Sequence, residues 1–193
     1  MTVNTALRDF LLTRRSVGIA FLRDPGPSED ELRQILTIGT RVPDHGKLTP
    51  WRLVVIAGDD RARAGEKLAE VAKRNNPALD EAGLDVERKR FLPAPLTIGV
   101  ISSPRKSDVA PELEQVLSAG NVAHNLLNAA YAFGLAATWV TRWFTFDSAA
   151  QSMLGARGGE RFVGFVHIGD AGNRARGSRA PRTRQGGGPL GRG

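Results

Sequence analysis

At 193 residues, with 41% apolar, 24% charged and 6% aromatic side chains, the chain has the size and make-up of one folded domain, or of one domain with a tail. It has no cysteine, which excludes disulfides, thiolate nucleophiles, iron–sulfur clusters and cysteine-based zinc sites. No run approaches the roughly 18–20 apolar residues that cross a bilayer, and the opening MTVNTALRDFLLTRRS lacks a signal core, so a cytoplasmic location is expected. The net charge of +7 belongs to the end of the chain. Residues 171–193 hold six arginines (Arg174, Arg176, Arg179, Arg182, Arg184, Arg192), seven glycines and no acid, leaving 21 bases against 20 acids before them.

In chain order, Leu7, Phe10 and Leu11 form a helical stripe over 5–13 that ends at Arg14 and Arg15. Gly18, Pro25, Gly26 and Pro27 keep 16–27 extended or turned. Ser28 and Glu31 have the spacing of a capping box, opening a helix whose buried face is Leu32, Ile35 and Leu36 and whose end is near Gly39. The polar loop 40–50 leads to a buried strand at 51–57. A charged helix to about Asn75 and a short one over 80–90 follow, then a second strand at 95–102. Pro111 opens a long helix to about Phe133, with Leu113, Val116, Leu117, Gly120, Ala123, Leu127 and Ala130 on its expected buried face and Gly134 as its stop. Its small residues would let another backbone approach closely. A third strand is expected at 136–144, a short helix from Asp147 to Leu154, and a fourth strand at 161–169. Four strands interrupted by helices predict a layered α/β or α+β domain over residues 1–170. The Arg/Gly-rich stretch 171–193 lacks the apolar periodicity to order by itself and is expected to be mobile in part.

Three polar clusters stand at the ends of these elements. Arg14, Arg15 and Ser16 suit a phosphate, through planar guanidinium forks and a short hydroxyl, although cations after a helix also simply complement its dipole. Arg41, Asp44 and His45 sit in a loop stiffened by Pro43 and Pro50 and freed at Gly46. His45 there reads equally as a ligand or as a structural residue. Thr138, Trp139, Val140 and Thr141 could line a flat heterocycle with main-chain N–H groups and an indole, or Trp139 could only fill core. His124 and His167 fall on apolar elements and read as core or interface. Phosphate-loop, dinucleotide-binding and nucleophile-elbow motifs are absent.

The ordered set RRS, PS..EL..IL, R.PDHG.L.PWR, AP..I.V, PE.EQ..SAG, a tryptophan-bearing strand and VGF..IGD resembles the FMN-dependent nitroreductase superfamily, in particular its small YdjA-like branch, over residues 7–170. The resemblance implies a homodimeric α+β flavoprotein: a nitroreductase-like layered fold, with a central mixed sheet flanked by helices and FMN at the subunit interface. Carried over by position, it implies FMN contacts from Arg14, Arg15 and Ser16, from Arg41 and His45 across the dimer, and from Trp139, Val140 and Thr141. The stretch Ala129, Ala130, Tyr131, Ala132, Phe133 and Gly134 corresponds to one assigned to the nicotinamide donor. Similar proteins show PEWEQ and WR[ST]G where this chain has PELEQ at 111–115 and WVTR at 139–142. Flavin takes hydride at N5 and gathers charge near N1 and O2, so the resemblance implies ping-pong turnover. NADH or NADPH reduces FMN and leaves, and a nitroaromatic, quinone or similar electron-poor acceptor takes the electrons, with no catalytic side chain and no metal. Two other readings are a nucleic-acid-binding protein acting through its basic tail, disfavoured because the tail has no aromatic to stack on bases, and a flavin-binding protein without turnover.

Overall fold

A computed structural model describes residues 2–172. Residues 173–193, most of the basic tail expected to be mobile in part, lie outside the described residues. Seven α-helices and four strands are present among those described. They run in the order α1 (Thr5–Thr13), α2 (Glu29–Gly39), β1 (Trp51–Ala57), α3 (Asp60–Asn75), α4 (Glu81–Arg88), β2 (Leu96–Ser102), α5 (Glu112–Ala132), β3 (Ala136–Val140), α6 (Trp143–Phe146), α7 (Ser148–Met153) and β4 (Arg161–Gly169). Single 3₁₀ turns occupy Ile19–Phe21 and His45–Lys47. No helix among the described residues is long and apolar enough to cross a membrane.

The strands form one sheet in the order β1-β2-β4-β3, and every neighbouring pair is antiparallel. The α+β layering is as expected, but the sheet is not mixed. The connections explain why. Two helices separate β1 from β2 and two more separate β3 from β4, which returns the chain beside its start running the opposite way. Only α5 makes a single-helix crossover, and it leaves β2 and β3 parallel to each other; β4 then inserts between them, so the parallel pair never hydrogen-bonds.

Helices cover both faces. Against one, Ile35 of α2 and Val122, Leu126 and Ala130 of α5 pack on Leu96, Ile98, Val100, Ala137, Val166 and Ile168. Against the other, Leu68 and Val71 of α3 join Phe91, Phe144, Phe162 and Phe165. Gly99 makes that second layer possible, since a Cβ there would stand 2.6 Å from the Phe162 ring. The alternation along β2 sends even and odd residues to opposite layers, which is why this inner strand is buried throughout.

Three sequence expectations need correction. β1 is an edge strand, half-buried with only Ile56 enclosed, rather than a buried one. The third strand stops at Val140 because Thr145 Oγ1 accepts the Arg142 N–H at 3.0 Å and turns the chain into α6, folding Phe144 under the sheet against Phe165. On α5, Leu113 and Leu117 are exposed. The first turns of that helix bury Gln115, Ser118 and Ala119 instead, since they face loops rather than the sheet.

Candidate functional site

The first and third clusters meet at the open edge of β3. The chain leaves α1 at Arg14 with φ −53° and ψ 137° and runs beside that edge, where the Val17 N–H donates to the Ala137 carbonyl at 3.2 Å. Strand alternation turns the main-chain groups of Trp139 to the same free edge. Arg14 Nη1 is buried and has no hydrogen-bond acceptor among the described residues, and its guanidinium carbon lies 6.0 Å from the centre of the Tyr131 ring. A buried guanidinium N–H without an acceptor leaves charge and donor capacity unspent, which is what an anionic ligand supplies. Arg15 is half-buried and Ser16 exposed.

Trp139 is neither core nor loose. The residue is 38% exposed, and its Nε1 donates to the Val163 carbonyl at 3.3 Å. Val163 is the extra residue of a bulge in β4 opposite Val100 and Ile101. The next residue, Gly164, has φ +144°, and a Cβ there would stand 2.2 Å from the indole nitrogen. The bulge and the missing side chain hold the indole with part of its surface open. Val140 is half-buried and Thr141 exposed.

The second cluster docks along α5, from Glu114 to Asn125. Asp44 accepts from the N–H groups of Leu48 at 3.1 Å and Thr49 at 2.8 Å, closing the loop around Gly46, whose φ is +75°. Ser118 Oγ donates to the Pro43 carbonyl at 2.9 Å, and Asn125 Nδ2 reaches the Ile38 and Arg41 carbonyls at 2.6 and 3.3 Å. His45 Nδ1 lies 2.7 Å from Glu114 Oε2, both side chains about half exposed. The Arg41 side chain is exposed. Gln115, buried, clamps the neighbouring loop through both main-chain groups of Arg105, each at 2.8 Å.

His45 and Arg14 therefore sit toward opposite ends of one helix, with the Arg41 main chain between them at Asn125. Glu114, which holds His45, and Tyr131, beside Arg14, are separated by about 25 Å at 1.5 Å per residue, more than one flavin mononucleotide spans. Within a single chain the structure brings Arg14, Arg15, Ser16 and Trp139 together and leaves His45 apart. Of the 129–134 stretch, Ala129 and Ala130 are buried in the core, Ala132 and Gly134 are exposed, and Phe133 is half-buried. Of the other histidines, His124 is exposed rather than core. His167 is core: Nδ1 lies 2.8 Å from Thr97 Oγ1, and burial, aided by the charge of Arg142, lowers its pKa to about 4, so it stays neutral.

Sequence reasoning passed over the residues that fix these loops: Glu114, Gln115, Ser118, Asn125 and the Tyr131 hydroxyl. The available signal was polar residues recurring on an otherwise apolar helix, where each needs a partner to be buried.

A groove of about 570 Å³ runs between α1, the end of α2 and α5, lined by Leu7, Phe10, Leu11, Asn125, Asn128 and Ala132 among others. Leu7, Leu11 and Leu12 of α1 and Leu113 and Leu117 of α5 are exposed, and a Cβ on Gly120 between them would meet nothing within 4 Å.

Comparison with known proteins places this architecture. The sequence profile of the Nitroreductase family matches residues 11–170. YdjA of Escherichia coli (strain K12), whose name is that of an NAD(P)H nitroreductase, is 31% identical over 161 residues, covering 83% of this chain and 86% of YdjA. Among solved structures, a nitroreductase-like family protein from Bacillus cereus superposes with a TM-score of 0.75 at 23% identity, over 94% of each chain. The FMN-dependent nitroreductase NfnB from Mycobacterium smegmatis, solved in complex with NADPH, gives 0.70 at 18% identity, over 92% of this chain and 94% of NfnB. With the profile spanning nearly all of the described chain, this protein belongs to the nitroreductase family.

Proposed function

We propose that two copies of this chain hold FMN in shared clefts and use it to pass electrons from NADH or NADPH to nitroaromatic, quinone or similar electron-poor acceptors. The observation that carries the reading is the separation of His45 from Arg14 along α5. A two-fold pairing of antiparallel α5 helices would bring the His45 end of one chain to the Arg14 end of its partner, giving two equivalent composite sites. The exposed leucines of α1 and α5, with small Gly120 between them, supply the apolar surface that such a pairing needs. Membership of the family supports an NAD(P)H-dependent oxidoreductase, and NfnB, FMN-dependent and seen with NADPH, supports the cofactor and donor.

The chain's residues fit FMN. Arg14, with its unspent buried N–H, Arg15 and Ser16 would bind the phosphate. The Trp139 main chain at the β3 edge, followed by Val140 and Thr141, would line the ring, while Arg41 and His45 of the partner subunit would complete the cleft. FMN supplies two-electron transfer through its ring, and the protein supplies binding, orientation and electrostatics. Cations beside the ring would stabilise negative charge gained on reduction. Tyr131 and Gly164 fix the first and second of these elements, and the apolar pairing excludes water. Since the donor and the acceptor would use the same face of the ring, the donor leaves before the acceptor enters. The exposed Ala132 and Gly134 remain as the part of 129–134 open to the nicotinamide donor.

Purified protein should be yellow, dimeric by sedimentation, and bleached anaerobically by NADH or NADPH, with parallel double-reciprocal plots when donor and acceptor are varied. A colourless monomer that takes up no added FMN would refute the reading, and bound flavin that neither nucleotide bleaches would leave a flavin carrier. Arg14→Gln with Ser16→Ala should release FMN; a full complement of flavin in that variant would remove the phosphate assignment.

A further inference from the structure

We propose that Tyr131 is a positioning residue for the flavin phosphate, fixing residues 14–16 as a preformed anion clamp. The inference rests on the reading of Arg14, Arg15 and Ser16 as phosphate ligands. Those residues follow a helix that buries none of its side chains, so α1 alone cannot hold them in register. Tyr131 does so from the far end of α5. Its hydroxyl donates to the Arg15 carbonyl and lies 3.4 Å from the Ala137 carbonyl, the group that also accepts the Val17 N–H. Its ring lies 5.7 Å from Phe10 of α1 and 6.0 Å from the Arg14 guanidinium carbon.

One half-buried side chain thus ties together the last turn of α1, the segment leaving it, and the edge of β3. The hydroxyl pins the main chain of Arg15, while the π-face attracts the Arg14 cation and restricts where its remaining N–H groups point. An anion meets donors whose ordering entropy was spent on folding, which strengthens binding without an added contact. Tyr131 acts through Arg14 and Arg15, because its own hydroxyl proton is committed to the Arg15 carbonyl.

FMN and riboflavin differ only in the phosphate, so their ratio of affinities reads the clamp alone. Full-length protein stripped of flavin is titrated with each, following the quenching of flavin fluorescence. Tyr131→Phe should weaken FMN by about 5- to 20-fold, the effect of one lost hydrogen bond to an anchoring group, and change riboflavin by less than about 2-fold. Arg14→Gln should lower the same ratio, because it removes a phosphate ligand directly. Equal loss for both flavins in Tyr131→Phe, or loss for neither, would overturn the positioning role. A parent protein that binds riboflavin as tightly as FMN would instead sink the phosphate reading itself, and the proposal with it.

Discussion

Helices α1 and α2 are built from similar instructions and meet different fates. Each is short, amphipathic and opened by a side chain that accepts a main-chain N–H three residues on: Asn4 from Leu7, and Ser28 from Glu31. Yet α2 buries Ile35 completely and lies so close to α5 that a Cβ on Gly39 would stand 2.3 Å from a methyl of Leu126. α1 encloses no residue fully, with only Phe10 half-buried, and leaves Leu7, Leu11 and Leu12 in solvent. A helix can be fully specified locally while most of its apolar stripe, here all but Phe10 beside Tyr131, stays exposed in its own chain. The proposed pairing of two copies along α5 would cover that stripe.

The sharpest break between the two helices is a truncation on each. Ile35→Ala should cost about 2–5 kcal/mol, the range for emptying a closed core site. Leu11→Ala should cost under about 0.5 kcal/mol in the same urea titration when the protein is dilute enough to be monomeric. Comparable losses at both positions would make α1 part of the single-chain core and remove the argument for a partner. Gly39→Val tests the other side of the contrast. With no room beside Leu126, overpacking should cost about 1–3 kcal/mol, whereas valine for Ala6 in α1 should stay within about 0.5 kcal/mol.

At working concentrations the order inverts. Leu7→Ser with Leu11→Ser should convert a dimer to monomer in sedimentation velocity and release FMN, with the chain's own unfolding nearly unchanged. If that variant stays dimeric and yellow, α1 is not the interface and the composite site must be closed by another surface.

How much of this could be read from the chain depends on how local the determining contacts are. The capping pair Ser28 and Glu31, the stop at Gly134 with φ +74°, and the cap at Asp147 lie within a few residues of what they control, and the elements they bound were legible. The face of α5 was not, because 3.6-residue periodicity reports a stripe without saying whether the sheet, a loop or another subunit covers it. Leu113 and Leu117 fit the expected stripe and still point outward. Sheet direction was likewise hidden, since it depends on β4 inserting between β2 and β3. In the candidate site, residue types and family resemblance singled out Arg14–Ser16 and Trp139. That the two share a strand edge, held by a tyrosine more than 100 residues from Arg15, is long-range information. The positive φ and close packing that make Gly164 necessary under Trp139 also appear only once β3 and β4 pair.

The smallest expected difference lies in the caps. The carboxylate of Glu31 accepts the Ser28 N–H at 2.8 Å and its hydroxyl at 2.9 Å, and these bonds, the backbone one foremost, hold its pKa below the ordinary value. A carboxyl whose folded pKa is depressed contributes its stability above the unfolded pKa, near 4.5, and loses it as pH falls through the lower folded value. Asn4 caps α1 with a neutral amide, so no such loss applies there. On acidification, amide exchange at the start of α2 should quicken in that window by more than exchange at the start of α1, after correction for the intrinsic rate. Glu31→Gln should flatten the response while keeping most of the cap, because glutamine can still accept from the Ser28 N–H. An unchanged pH response in Glu31→Gln would show that the weakening of α2 in acid comes from other carboxylates, and would leave the two caps equivalent.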